Sequence, residues 1–293
     1  MSGVVPSAMR LKSALEILPR LYGPNGYLRA AGYLFVVGHM RSYSSLLAHI
    51  LGSHPRIVGY AEMHQKYRNV LDLLELTRKV ERSCDKSCAG RYVLDKILHP
   101  QVLEERVLRR KDVRVIAIAR DPEASVASIL AIRSGGIDSI EGAIAYYLER
   151  MQALRQLGES RDGDVAYVDG ESILEDNGAS LRGLSSYLEI EPALRSEYSI
   201  FRFTGIAKYG DPSEWIKAGR VVRWRAPLPR LQLTAAQARQ LSLAYESMRS
   251  FMCRNARVAM VRPAAPGPSA SAARGREVFR VDRRTGSAAQ PAE

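Results

Sequence analysis

An apolar run, YLFVVG at 33–38, leads into HMRSYSSLL, where one arginine and three serines fall within five positions. A strand that turns into a helix leaves unpaired backbone N–H groups at the positive end of the helix dipole, which is an anion site. Arg41, Ser42, Ser44 and Ser45 add a guanidinium and three hydroxyls at the same place. The bland alternative is a strand-to-helix connection whose serines only cap the helix.

A second segment has the same chemistry. VRVIAIARDPEASVASIL is an apolar run that ends in Arg120, with Asp121-Pro122 opening a helix and Ser128 eight residues after the arginine. Pro122 suits the first helical turn. A guanidinium fork and a hydroxyl can grip one phosphate together. Alternatively, Arg120 pairs with Asp121 and Ser128 lies on a solvated helix face.

The elements that must position these groups alternate. Runs rich in β-branched residues at 33–38, 56–60, 92–96, 113–120 and 164–170 read as strands. Segments of helical period lie at 44–51, 66–79, 102–108, 124–132, 139–157 and 178–188. The pattern predicts a three-layer α/β fold: a mainly parallel, five-stranded sheet covered by helices on both faces, with ligands at the carboxyl ends of the strands. Tyr146 and Tyr147 have the helical period of a core face and need no function. Residues 1–32 read as a helical lead-in and 33–262 as the domain. The Pro/Ala/Ser-rich basic tail at 263–293 lacks the large apolar residues needed for a core and is expected to be disordered.

The 293 residues carry 43 Lys plus Arg against 31 Asp plus Glu, a formal net charge of +12, so anionic ligands are expected. That surplus does not separate nucleotide, nucleic acid, acidic glycan and membrane surface. The three cysteines, Cys84, Cys88 and Cys253, are too few and odd in number for a disulfide framework, which points to a reducing, cytoplasmic compartment. Cys84 and Cys88 lack a second pair to complete a four-ligand metal site and are expected to be free and partly exposed. The start, MSGVVPSAMRLKSALEILPRLYG, is too broken by charge for a signal peptide, and no run of eighteen apolar residues exists to span a membrane. A soluble protein is expected, with peripheral membrane contact compatible. A nucleoside-triphosphate P-loop needs a second glycine followed by Lys and Ser or Thr, and HMRSYSS has neither the glycine nor the lysine.

Together, HMRSYSSLLAHILGSHPRIVGYAE and ARDPEASVASIL resemble the sulfotransferases that use 3′-phosphoadenosine 5′-phosphosulfate, especially their bacterial and Golgi-type branches, strongly over 33–130 and weakly as far as Arg220. The resemblance implies the P-loop-like fold of that family, with the phosphosulfate nucleotide as donor co-substrate. It places Arg41, Ser42, Tyr43, Ser44 and Ser45 around the 5′-phosphosulfate and Arg120 and Ser128 on the 3′-phosphate. Tyr43 stands where the family usually has glycine. Either the loop uses ordinary dihedrals there, or its geometry departs from the family pattern.

By the same resemblance, Glu62, twenty-one residues after Arg41, is the general base that takes the proton of an acceptor hydroxyl. Its alternative is a surface pair with Lys66. His64 is a rival base, since related cytosolic enzymes use a histidine. Lys96, in YVLDKILHP, is implied to stabilise the leaving phosphate, and its alternative is a pair with Asp95 or solvent. Sulfuryl transfer moves less charge than phosphoryl transfer, so side chains are expected to suffice without a metal. FTGIAKYGDPSEWIKAGRVVRW, at 203–224, resembles a late loop that closes over the nucleotide, where Lys208, Lys217 or Arg220 would touch a phosphate. The resemblance implies an acceptor hydroxyl or amine on a glycan, lipid or small metabolite. A metabolite kinase with a degenerate P-loop and a basic polyanion- or nucleic-acid-binding module are the competing functions.

Overall fold

The structure, a computed structural model, describes residues 30–100, 102–175, 177–206, 211–223 and 228–262. The expected lead-in (apart from 30–32), the expected tail and Lys208 lie outside the described residues.

The sheet forms from β1 (Gly32–Val37), β2 (Ile57–Val58), β3 (Tyr92–Ile97), β4 (Val113–Ala119), β5 (Ala166–Asp169) and β6 (Val258–Met260). Their order is β2-β3-β1-β4-β5-β6 and every pairing is parallel. The sheet thus has six strands rather than the expected five. β6 is three residues long, too short for alternation to mark it, and it pairs only at the β5 edge.

Helices α1 (Ser44–Gly52), α2 (Val70–Cys84), α3 (Glu105–Leu108), α4 (Pro122–Ala131), α5 (Ile140–Ser160), α6 (Ser172–Glu175), α7 (Asn177–Leu188) and α8 (Ala235–Asn255) cover both faces. The period of two along β1 sorts the layers. Tyr33, Phe35 and Val37 pack with α2, α5 and α8, whereas Leu34 and Val36 pack with α1 and α7. Each fully buried side chain of this kind contributes about 1.5–3 kcal/mol, so the two clusters fix the frame on which the loops rest.

Local signals place the helix ends. Asn69 caps α2 by accepting from the N–H of Leu71 at 2.8 Å, so that helix begins later than the expected residue 66. The expected helix at 102–108 shrinks to α3, because the backbone at 102–104 pairs with Tyr67. α8 is missing from the sequence expectation, although Thr234 and Gln237 form a capping box at its start. All three cysteines are free, and Cys88 is buried rather than partly exposed. No helix among the described residues is long and apolar enough to cross a membrane.

Candidate active site

β1, β3 and β4 are adjacent and parallel, so the loops at their carboxyl ends open on one side of the sheet. They bound a cleft of about 810 Å³ whose walls include Arg41, Ser45, Glu62, His99, Arg120 and Ser128.

The loop from β1 to α1 turns sharply. Arg41 and Tyr43 adopt left-handed backbone conformations with φ of 65° and 67°. Ordinary dihedrals are therefore not used at Tyr43, and a side chain is held where glycine is favoured. Such a residue costs about 1–2 kcal/mol. The Tyr43 ring stacks beneath the Arg120 guanidinium, with Cζ 4.5 Å from the ring centroid. A contact of that kind recovers about 0.5–2 kcal/mol, so strain and stacking are of similar size.

Buried polar side chains hold the loop in shape. Fully buried His39 donates from Nδ1 to the Met40 carbonyl at 2.8 Å, which leaves Nε2 to accept the Arg120 N–H at 3.0 Å. Burial drives its pKa down to about 3, so it stays neutral and joins β1 to β4 as a hydrogen-bond relay. From α5, the Tyr146 hydroxyl donates to the Leu98 carbonyl at 2.6 Å and accepts the Met40 N–H at 2.7 Å. Tyr147 donates to the Arg120 carbonyl at 2.7 Å, and Arg150 reaches the Gly38 carbonyl at 2.9 Å. Both tyrosines are core residues, as their period indicates, yet their hydroxyls also brace the loops of the cleft.

Arg41, Ser128 and Arg120, separated by up to 87 positions, form one cluster. Arg41 Nε donates to Ser128 Oγ at 2.9 Å and its Nη1 to Asp211 Oδ1 at 2.9 Å, while Arg120 Nη1 donates to the Arg41 carbonyl at 3.1 Å. Neither bland alternative for the second segment is realised. Ser128 is buried, and Asp121 caps α4 through the N–H of Ala124 while Arg120 faces Glu171 at 3.6 Å. At that distance no hydrogen bond forms, and Arg120 Nε is buried without a hydrogen-bond partner.

Lys96, at the end of β3, is fully buried and donates from Nζ to Ser45 Oγ at 3.1 Å and to Glu62 Oε1 at 3.4 Å. Glu62 pairs with Lys96 rather than Lys66, and segment 62–66 is not helical. Its second oxygen, Oε2, is buried without a hydrogen-bond partner and lies 4.0 Å from both His64 Nδ1 and His99 Nε2. Burial lowers the His99 pKa more than nearby Glu62 raises it, so this imidazole is neutral at neutral pH. Asp95 does not pair with the Lys96 ammonium. It accepts the N–H of Met63 at 2.9 Å and the Tyr67 hydroxyl, and thereby pins the segment that carries Glu62 and His64. Burial pushes its pKa up to about 6.

Ser42 turns inward, donating to the His39 carbonyl at 2.7 Å, and Ser44 lines the cleft at the start of α1. Arg220 is exposed beside Glu197, and Lys217 pairs with Glu214 at 2.8 Å; neither lines the cleft. The residues that sequence reasoning missed are His39, His99, Glu171 and Asp211. The last follows Gly210 in the GDP triplet, the only local signal for it. Among the described residues, no group of three His, Cys, Asp or Glu side chains is arranged to hold a metal ion.

No protein-family model and no curated protein sequence matches the chain. Solved structures do. One is the sulfotransferase domain from the curacin biosynthetic pathway, with TM-score 0.49 and 18% identity over 73% of this chain and 98% of that one. The mouse sulfotransferase SULT7A1 complexed with PAP has TM-score 0.41 and 14% identity over 84% of this chain and 73% of that one. A sulfotransferase from Alicyclobacillus acidocaldarius has TM-score 0.40 and 10% identity over 75% and 94%. All three are sulfotransferases. At these identities the chain's own cleft carries the functional assignment.

Proposed function

We propose that the chain is a sulfotransferase that moves a sulfuryl group from 3′-phosphoadenosine 5′-phosphosulfate to an acceptor hydroxyl. The observation that carries this reading is the placement of fully buried Lys96 Nζ between Ser45 Oγ and Glu62 Oε1, which sets a cation behind two residues that line the cleft. The cleft suits a doubly phosphorylated nucleotide. Two guanidiniums converge there, and buried Arg120 Nε, 3.6 Å from Glu171, has no hydrogen-bond partner.

The backbone N–H groups at the start of α1, with Ser44, Ser45 and Arg41, would hold the 5′-phosphosulfate, and Arg120 with Ser128 the 3′-phosphate. The donor supplies a sulfuryl group on a good leaving phosphate. Glu62 lines the cleft, and its Oε2, which has no hydrogen-bond partner, takes the acceptor proton as the hydroxyl oxygen bonds to sulfur. Lys96 neutralises the charge that develops on the leaving phosphate oxygen as the bond from that oxygen to sulfur breaks. His99 and His64 flank Glu62 Oε2 and give its proton a path to solvent.

Incubating the full chain with isotope-labelled donor and a cell extract, followed by mass spectrometry, tests the assignment. The expected result is at least one small hydroxyl compound that gains a labelled sulfuryl group while 3′,5′-bisphosphoadenosine accumulates in equal amount. Magnesium-dependent consumption of ATP without sulfuryl transfer would replace this reading with the kinase. Salt-sensitive nucleic-acid binding with no transfer would replace it with a polyanion-binding module.

A further inference from the structure

Asp211 engages two of the anion-binding side chains with two different groups. Its Oδ1 accepts from Arg41 Nη1 at 2.9 Å, and its backbone N–H donates to Ser45 Oγ at 3.0 Å. Ser45 Oγ also accepts from Lys96 Nζ, so its own proton is left to donate into the cleft. The carboxylate is anchored in turn. The N–H of Ser213 donates to Oδ1 at 3.0 Å and its hydroxyl to Oδ2 at 2.9 Å. Burial works to raise the Asp211 pKa, but the Arg41 charge and these hydrogen bonds outweigh it and hold the pKa below the usual value. A fixed negative charge therefore stands beside Arg41 and Ser45, in addition to the Glu62 carboxylate elsewhere in the cleft wall. A site built for anion affinity alone has no use for it.

We propose that Asp211 is a specificity-determining residue that makes the cleft select a sulfuryl-bearing over a phosphoryl-bearing donor end. The inference rests on the donor assignment above. A sulfuryl group on a 5′-phosphate carries one negative charge, whereas a terminal phosphoryl group of the same shape carries about −1.5 to −2 near neutral pH. Shape cannot tell the two apart, but a nearby carboxylate can, because the additional charge meets like-charge repulsion. Arg41, already paired with Asp211, offers less free positive charge to offset it. Selectivity of this kind comes from a repulsive element aimed at the wrong ligand.

Calorimetric titration of the full chain with 3′-phosphoadenosine 5′-phosphosulfate and with 3′-phosphoadenosine 5′-diphosphate compares the two ends. Wild type is expected to prefer the phosphosulfate by about tenfold, one unfavourable charge contact. Asp211→Asn keeps the size and the contacts with Ser213, and it should narrow the ratio mainly by tightening the diphosphate. Ser213→Ala removes one donor to Oδ2 but keeps the charge, so it should leave the ratio as large or larger, and a narrowed ratio counts against the proposal. No preference in wild type, or an unchanged ratio in Asp211→Asn, overturns the proposal. If Asp211→Asn fails to fold, the wild-type ratio and Ser213→Ala decide. Failure of wild type to bind either nucleotide overturns the donor assignment itself, a result distinct from equal binding of both.

Discussion

Glu62→Gln is expected to lower single-turnover sulfuryl transfer by roughly a hundredfold to ten-thousandfold while donor affinity stays close to that of wild type. The amide keeps the shape and can still accept from Lys96 Nζ, which lies 3.4 Å from Oε1, so the cleft should not collapse. What disappears is the basicity of Oε2, the buried oxygen without a hydrogen-bond partner. His64→Ala should cost far less, since that side chain is half-exposed and 4.0 Å from the carboxylate. Single-turnover measurement is needed because product release can hide a slower chemical step. Near-normal transfer in Glu62→Gln together with its loss in His64→Ala would make His64 the base.

Arg120→Ala should weaken 3′,5′-bisphosphoadenosine by about tenfold to a hundredfold, the usual range for losing hydrogen bonds to a charged group. Adenosine 5′-monophosphate should lose much less, because the 3′-phosphate is the group assigned to Arg120. A small loss for the monophosphate is still expected, since Arg120 Nη1 supports the Arg41 carbonyl at 3.1 Å and its guanidinium stacks on Tyr43. Calorimetry with both nucleotides gives the ratio. Equal losses for the two would remove Arg120 from the 3′ side.

Chain segments that bury on both faces are legible as strands, because β1 is a continuous apolar run and β4 is one broken only by Arg114. β6 is not, since three residues on an edge carry no period of their own. The capping box at Thr234 is a local signal for the start of α8 that the sequence does carry. At the site, the residue types near the strand ends were legible, but their meeting was not. Nothing local in the chain says that Arg41 Nε reaches Ser128 Oγ, or that Glu62 turns to Lys96 instead of Lys66. Those contacts follow from the β3-β1-β4 neighbour order, which brings three strand ends to one place. The structural roles of His39 and Asp95 escape the sequence because a buried polar residue inside or beside an apolar run looks like an exception until its carbonyl and N–H partners are known. Tyr43 shows the opposite limit: the sequence raises the question of a left-handed backbone, and only the fold answers it.

Whether one cleft holds both phosphates of an adenosine nucleotide is tested most directly by thermal unfolding of the full chain with 3′,5′-bisphosphoadenosine. At a hundred times the dissociation constant the ligand should add about 2.7 kcal/mol. For a domain of this size that is a rise in Tm of roughly 5–10 °C, with a much smaller rise from adenosine 5′-monophosphate at the same concentration. An unchanged Tm at millimolar bisphosphate would contradict the account.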